Sequence, residues 1–378
     1  MSSDIALYVH VPFCRRKCRY CSFISYEQRE RDIPRYLEAL KKELKLRYHD
    51  DSIRTIYIGG GTPSLLKASD IADLLSAISG LCQLDKDAEI SIEVNPGTVD
   101  QNFFQTIRKA GVNRLSLGIQ SLNDDELAIM GRIHTSIQAR EAVRLARSEG
   151  FDNINLDLIY GLPAQTKEAW QYSLEEAIAL EPEHLSLYAL TLEEDTPMQK
   201  MIDDGLMTKI DPDMAADQYE IAEDLLEKHG YIHYEISNWA KPGYPCRHNL
   251  VYWYNLPYLG IGAAAHSCIN GHRIANTGNL DKYLAEFTGE NSWSPELDEK
   301  ISRELEIAES VILGLRLAEG VQQVILKNRF GVNIMDRFRR QIKEMSDAGL
   351  LIQDDGHISL TPRGRLLSNE VFWRFLPE

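Results

Sequence analysis

Three of the six cysteines in this 378-residue chain, Cys14, Cys18 and Cys21, fall within eight residues at the spacing C-x3-C-x2-C. They follow the alternating apolar run Ala6–Val11, which reads as a strand, with Pro12 and Phe13 leading off its end. Three thiolates in one short loop can hold an iron–sulfur cluster. Such clusters normally take four cysteines, so three leave one iron for an external ligand. A zinc site on Cys18 and Cys21, with His10 nearby, is a second reading, but it lacks another C-x2-C or H-x3-H pair. Structural cysteines are a third, and the bunching of half the cysteines in one loop speaks against it. Arg15, Arg16, Lys17 and Arg19 make the loop cationic. Cations stabilise a negatively charged cluster and offer a docking patch to an acidic electron donor such as flavodoxin or ferredoxin. Taken singly, each of these side chains also reads as solvated surface.

Composition narrows the classes. A net charge of −16 argues against nonspecific nucleic-acid binding. No run of about 18 apolar residues suggests a transmembrane helix, and Met-Ser-Ser-Asp runs straight into a strand without a signal pattern. A cytoplasmic location is expected, where clustered cysteines point to metal rather than disulfide. Cys82, Cys246 and Cys268 are isolated and read as core or incidental thiols.

The elements that must position the loop repeat as strand, glycine or proline signal, helix. Strands are expected at Ala6–Val11, Thr55–Ile58, Glu89–Val94, Arg114–Ile119, Ile154–Ile159 and His184–Leu190. Helices are expected at Pro34–Arg47, Ser69–Leu81, Gln101–Lys109, Ile137–Glu149 and Lys167–Ala179. Six such units predict parallel strands with right-handed crossovers, and six rather than eight predict a partial (β/α)6 barrel. Barrel chemistry sits at C-terminal strand ends. The second strand ends in Gly59-Gly60-Gly61-Thr62-Pro63, which is not a phosphate loop because no Gly-Lys-Ser/Thr follows. Asn155 and Asp157 interrupt an apolar strand, and buried polar groups need partners. Several of them at one barrel mouth favour a polar ligand.

The cysteine spacing and its strand context resemble the radical S-adenosylmethionine superfamily. That resemblance implies a [4Fe-4S] cluster on Cys14, Cys18 and Cys21, with S-adenosylmethionine on the open iron. Tyr20 matches the aromatic position beside the adenine. Tyr8-Val9-His10-Val11-Pro12-Phe13-Cys14, the triple glycine, Gly118-Ile119-Gln120-Ser121 and Asp157-Leu158-Ile159-Tyr160-Gly161-Leu162-Pro163 resemble the oxygen-independent coproporphyrinogen oxidase-like branch. The branch's S-adenosylmethionine contacts fall on Tyr8, Gly60, Gly61, Thr62, Glu93, Gln120, Arg132 and Asp157. Arg132 would clamp a carboxylate, and Glu93 and Asp157 would accept hydrogen bonds from ribose hydroxyls or the amino group.

Two departures set the chain apart from the coproporphyrinogen dehydrogenase itself. Phe23 stands where that enzyme has a fourth cysteine, and the first strand starts by about residue 5, without that enzyme's N-terminal extension. His248-Asn249-Leu250-Val251-Tyr252-Trp253 matches the H-N-x-x-Y-W motif of the branch's haem-chaperone subgroup. The resemblance implies a chaperone that carries haem to an acceptor, such as a respiratory haem protein. His248 is then an exposed axial ligand, with Tyr252 and Trp253 offering flat apolar surface. Radical coproporphyrinogen dehydrogenase and methyltransferase activities are the alternatives.

Gly260-Ile261-Gly262-Ala263-Ala264-Ala265-His266-Ser267 resembles the segment that closes the branch's pocket. His266 and His272 are alternative haem ligands, ranked below His248. His10, His134, His184, His229 and His233 read as structural or surface residues. From about Leu297, helices at Glu304–Arg316, Val321–Phe330 and Ile334–Ala348 precede a hairpin, Gly349–Gln353 and His357–Leu360, and a last helix ending near Phe375. The pattern is winged-helix-like, but acidic residues punctuate it and no basic face is concentrated there, so it reads as a cap or partner-binding domain. The expected divisions are a barrel over 1–238, a motif-bearing and barrel-closing segment over 239–296, and the C-terminal domain over 297–378.

Overall fold

The computed structural model describes residues 4–289 and 292–377. The outer ends of the expected divisions, at 1–3 and 378, and residues 290–291 of the middle one lie outside the described residues. After β1 (Asp4–Val11), two short strands, β2 (Phe13–Cys14) and β3 (Tyr26–Glu27), pair in parallel and brace the cysteine loop. β4 (Ser52–Gly60), β5 (Gln83–Val94), β6 (Arg114–Gln120), β7 (Ile154–Tyr160) and β8 (His184–Ala189) follow. They alternate with α1 (Ile33–Arg47), α2 (Ala68–Leu81), α3 (Gln101–Lys109), α4 (Asp124–Met130), α5 (Ser136–Ser148) and α6 (Lys167–Ile178). The six long strands are parallel in the order β1-β4-β5-β6-β7-β8, so the partial barrel is as expected.

Alternation on each strand divides the labour. On β1, Ile5, Leu7, Val9 and Val11 are buried against the helices, where α1 presents Tyr36, Leu37, Leu40 and Leu44 at helical spacing. That leaves Tyr8 and His10 for the inner face. The same period turns Glu93 and Asp157 inward from β5 and β7.

The sheet extends further than the repeats indicate. Two more helices, α7 (Pro197–Asp203) and α8 (Pro212–Lys228), follow β8. β9 (Ile232–Glu235) and β10 (Asn238–Ala240) then continue the β8 edge in antiparallel fashion. The stretch from Trp239 to Tyr258 contains the end of β10 and the helix α9 (Arg247–Trp253). β11 (Tyr258–Ile261) joins β1 in parallel, and β12 (His266–Ile269), β13 (His272–Ala275) and β14 (Leu297–Lys300) extend that edge. The helix α10 (Leu280–Thr288) lies between the last two. These strands are four residues or fewer, too short for an alternation to show in the sequence.

The C-terminal part has its own core around Ile307, Val311, Phe338 and Ile358. Its first helix is Arg303–Gly314. The helix expected over Val321–Phe330 opens instead with β15 (Val321–Gln322), which pairs with β17 (His357–Leu360) beside β16 (Leu351–Asp354). The hairpin is therefore a three-stranded wing. The helix expected over Ile334–Ala348 breaks at Phe338, whose backbone leaves helical geometry (φ −106°, ψ 22°) while its ring stays in the core. The expected last helix is two short helices, Pro362–Leu366 and Ser368–Phe372, and a 3-10 turn.

One buried charge pair ties the barrel to its extension. Glu43 of α1 is wholly buried, and its carboxylate accepts from Arg47 (2.7 Å), the Gly262 backbone N–H (2.8 Å), the Asn276 amide (2.6 Å) and the Tyr283 hydroxyl (2.7 Å). Arg47 in turn donates to the Gly260 carbonyl and the Ser267 hydroxyl, each at 2.9 Å. Burial holds the Glu43 carboxyl above its usual range, and Arg47 and the surrounding donors offset only part of that rise. Removing one member of such a pair strands the other. Glu43→Ala should therefore cost about 3–5 kcal/mol of stability, read as a lowered urea midpoint. A loss below about 1 kcal/mol would show that water or another acceptor serves Arg47.

Candidate functional site

The C-terminal ends of the barrel strands enclose a chamber of about 410 Å³, within the range of small-molecule sites. Cys14, Cys18 and Cys21 line one side as free thiols. Tyr20, Gly60, Gly61, Thr62, Glu93, Gln120, Arg132 and Asp157 line the rest. Eight of the nine residues expected at S-adenosylmethionine thus share one cavity with all three cysteines.

Tyr8 is not brought to this chamber. Its hydroxyl hydrogen-bonds His10 Nδ1 (2.9 Å), and its ring lines a second cleft on the β1–β11 side. His10 is also engaged at Nε2, with the Ile24 carbonyl (3.2 Å), so the zinc reading loses its histidine. Among the described residues no three His, Cys, Asp or Glu side chains are grouped to hold a single metal ion. A cube that bonds each thiolate to a different iron asks for thiols set apart instead.

Close backbone approach explains the glycines. Gly60 has φ +119°, and a Cβ there would lie 2.6 Å from the His10 ring. At Gly61 a Cβ would lie 2.8 Å from the Phe13 carbonyl oxygen and 3.0 Å from Cys14 Sγ. The Gly60 N–H donates to Glu93 Oε2 (3.0 Å), and Tyr57 donates to Glu93 Oε1 (3.1 Å). Asp157 accepts from Ser116 (3.0 Å) and Asn155 (2.7 Å), so the polar interruption in β7 has internal partners and still faces the cavity. Arg132 donates to Cys18 Sγ (3.3 Å) and to the Gly118 carbonyl (2.7 Å), while its Nε is buried without a partner. It steadies the Cys18 sulfur and keeps an unused donor. Of the cationic loop residues, Arg15 and Arg16 are exposed, whereas Arg19 donates to the Ala128 and Ile129 carbonyls near the end of α4.

The residues fit a cluster and S-adenosylmethionine on their own terms. Three free thiols flank the chamber, a backbone cradle lies beside Cys14, and two carboxylates without a cationic partner face the same space. The carboxylates suit an ammonium group and ribose hydroxyls.

His248 departs from expectation. It is 1% exposed, with Nδ1 at 2.8 Å from the Thr55 hydroxyl and Nε2 at 3.0 Å from the Tyr252 hydroxyl. Burial, with Arg114 adding to it, lowers its pKa to about 3. The backbone N–H groups of Arg247 and His248 both donate to Glu89 (3.0 Å each), which seats α9 against the N-terminal strand ends as a floor for the barrel. The expected exposure is therefore corrected: a helix capped by a buried carboxylate holds the imidazole inside. The His248 ring lies 5.2 Å from that of Tyr57, so the motif supports the tyrosine that holds Glu93. Trp253 faces the C-terminal domain, with the Arg316 guanidinium 4.4 Å above its ring. Tyr252 reaches the second cleft. No signal in the sequence marked that cleft or the role of Tyr57.

A partial parallel barrel with three thiols over a glycine-rich strand end defines the radical S-adenosylmethionine class, and comparison with known proteins agrees. Residues 8–177 match the family model of the Radical SAM superfamily, and residues 301–367 match that of the HemN C-terminal domain. Heme chaperone HemW of Lactococcus lactis subsp. lactis is 37% identical, over 98% of this chain and 96% of that protein. Heme chaperone HemW of Escherichia coli is 36% identical, over 99% and 98%. Among solved structures, coproporphyrinogen III oxidase (HemN) from Escherichia coli, a radical SAM enzyme, superposes with a TM-score of 0.86 at 26% identity, covering 99% of this chain and 90% of that one. The chain belongs to the HemW family of the radical SAM superfamily. That superfamily implies a [4Fe-4S] cluster and S-adenosylmethionine. No helix among the described residues is long and apolar enough to cross a membrane.

Glu93 carries a testable consequence. Burial, and next the charge of Asp157, raises its pKa from the ordinary 4.5 to about 7. Between those values the folded chain keeps a proton that the unfolded chain has lost. The stability this proton contributes is complete below the unfolded value and is lost as pH rises through the folded one. Glu93→Gln should match wild type at pH 5 and exceed it by about 1–2 kcal/mol at pH 8, in urea unfolding without added S-adenosylmethionine. An equal difference at both pH values would show an unperturbed carboxyl.

Proposed function

We propose that this chain is a haem chaperone that binds haem and passes it to an acceptor protein. The observation that carries the proposal is the second cleft. It adjoins the cofactor chamber, shares Ser22 and Phe23 with it, and is walled by Tyr8, Tyr252 and Tyr258. Aromatic walls beside, but outside, the cofactor space suit a flat macrocycle held as cargo. The full-length similarity to proteins named heme chaperone HemW supports the same reading.

In this reading Cys14, Cys18 and Cys21 hold the [4Fe-4S] cluster. Tyr20, Gly60, Gly61, Thr62, Glu93, Gln120, Arg132 and Asp157 hold S-adenosylmethionine. When bound, the two supply one-electron chemistry to the chamber. The chain's own contribution is positional. Arg132 neutralises charge at Cys18, Tyr57 and Gly60 fix the Glu93 carboxylate, and Ser116 and Asn155 aim Asp157. Exposed Arg15 and Arg16 beside the loop give an acidic electron donor such as flavodoxin or ferredoxin a place to dock. The acceptor is a haem protein that lacks its haem.

The shared architecture with HemN favours a second reading, coproporphyrinogen III oxidation. Against it, Phe23 stands exposed between the two cavities at the position of the dehydrogenase's fourth cysteine. The two readings separate on incubation of the reconstituted protein with coproporphyrinogen III and, in parallel, with haem followed by apomyoglobin as acceptor. The proposal expects haem binding, transfer to apomyoglobin and no decarboxylated porphyrinogen. Sustained decarboxylation would sink it.

The site assignments give a further expectation. Cys18→Ala should lose most of its bound iron and its iron–sulfur absorption while the chain stays folded and still binds haem. Glu93→Gln should keep the cluster but bind S-adenosylmethionine about tenfold or more weakly, as loss of a charge-assisted hydrogen bond requires. Equilibrium dialysis with S-adenosylmethionine reads the second effect, and unchanged binding would remove Glu93 from the site.

A further inference from the structure

Below the chamber the barrel interior is polar, where branched apolar side chains usually fill such a space. Glu93, Ser116, Asn155 and His184 are neighbours in register across β5, β6, β7 and β8, so all four face inward. Asp157 and Ser186 form the next pair toward the chamber, and Arg114 sits two residues before Ser116 on the same face of β6. Asn155 and His184 are fully buried and do not line the chamber.

The hydrogen bonds among these groups run in one direction. Ser116 donates to Asp157 Oδ2 (3.0 Å), so its oxygen is left to accept from the Asn155 amide, which lies at 2.7 Å. The same amide nitrogen donates to Asp157 Oδ1 (2.7 Å). With both N–H bonds spent there, Asn155 offers Oδ1 to its far side, where the Ser186 hydroxyl (3.1 Å) and His184 Nδ1 (2.6 Å) donate. That assigns His184 the Nδ1–H tautomer, and its Nε2 accepts from the Tyr234 hydroxyl (2.8 Å). The Tyr234 oxygen in turn accepts the Cys246 backbone N–H (3.3 Å). Burial, with Arg114 adding to it, lowers the His184 pKa well below its ordinary value. The ring is therefore neutral, and it donates on one side while accepting on the other.

We propose that His184 and Tyr234 are positioning residues for S-adenosylmethionine, acting through Asn155 to hold the Asp157 carboxylate in one orientation with a donor on each oxygen. The inference rests on the placement of Asp157 in the S-adenosylmethionine site and extends it to two residues outside the chamber. An amide has nearly the same shape when flipped. Only the donors on the far side of Asn155 forbid the flip that would turn its carbonyl toward the carboxylate. Successive donors also polarise one another, so each link strengthens the next. The charged and titratable groups facing Asp157 are Arg114 from β6, Glu93 from β5, Tyr57 from β4 and Tyr188 from β8. Arg114, Cys246 and Glu235 face the lower end of the line at Tyr234. Burial raises the Asp157 pKa, and Asn155, Ser116 and Ser186, then Arg114, offset part of that rise. Breaking the line weakens this offset, so Asp157 takes up its proton at higher pH.

The test is equilibrium dialysis of S-adenosylmethionine against the full chain with its cluster, from about pH 5.5 to 8.5, with circular dichroism and cluster absorption checking each fold. His184→Leu removes the donor to Asn155. His184→Gln restores an amide that can donate to Asn155 and accept from Tyr234. Tyr234→Phe removes one hydroxyl and keeps the ring. His184→Leu should bind about three- to tenfold more weakly at neutral pH, and its acid-side loss of binding should begin at higher pH than in wild type. His184→Gln should recover most of both, and Tyr234→Phe should shift in the same direction as His184→Leu by less. Wild-type affinity and pH profile in a folded His184→Leu would overturn the proposal and leave the line as internal packing. So would an equal loss at every pH that His184→Gln does not recover. Should His184→Leu fail to fold, Tyr234→Phe decides, and a wild-type profile there overturns the proposal. Asp157→Asn keeps the two levels apart: it should bind about tenfold or more weakly. Undiminished binding by Asp157→Asn would remove Asp157 from the site and this inference with it, whereas unresponsive His184 and Tyr234 variants spare the site assignment.

Discussion

The Glu43–Arg47 pair is the constraint on which the two halves of the site depend. A carboxylate with no exposure needs every lone pair satisfied, and Glu43 draws its partners from three places: its own helix, the turn after β11, and the segment from β13 into α10. None of these can shift without leaving a buried charge short of a donor. Arg47 adds Gly260 and Ser267 on either side of the turn. The β11–β12 extension is thereby locked onto α1, the first long helix after the cysteine loop and β3. The cluster loop and the cleft are held in fixed relation by a polar knot on the outer side of the barrel, not by contacts between the cavities.

The chamber and its surroundings differ in kind. Inside the chamber, Glu93 and Asp157 hold their positions through neutral donors, and burial keeps Glu93 close to the pH at which it changes charge. A cationic ligand would find one carboxylate ready to ionise. Beneath it, α9 is settled by full pairing: Glu89 caps the helix, and Thr55 and Tyr252 occupy His248. Chemistry is left to groups with unfilled capacity, such as Arg132 Nε, and support falls to groups with none.

Much of this was legible in the sequence because it rests on local signals. The six long strands, their helices and the cysteine loop follow from alternation, helical period and spacing, and the glycine run announced a backbone that something must approach. What escaped notice depends on distant partners. Strands β9 to β14 have four residues or fewer, and their pairing is decided by the sheet edges they meet. The burial of His248 could not be read from His-Asn-Leu-Val-Tyr-Trp, because the carboxylate that seats the helix lies far earlier in the chain, at Glu89. The orientation of Tyr8 could not be read from its nearness to the cysteines. Its hydroxyl turns to His10, two residues away on the same face, and so to the neighbouring cleft.

The contacts at the end of α9 bear on how the molecule comes apart. Arg329 of the C-terminal part donates to the Tyr254 and Asn255 carbonyls (3.1 and 2.8 Å), and Arg316 covers Trp253. The barrel's floor thus takes some of its closing bonds from a region with a separate core. A chain cut near residue 301 would bare an indole and leave two carbonyls without these donors at the edge of that floor. The two parts have distinct interiors, yet they share one seam, and a break at the seam loosens the barrel from below. Unfolding should register as one cooperative event in which the wing and the barrel floor are lost together.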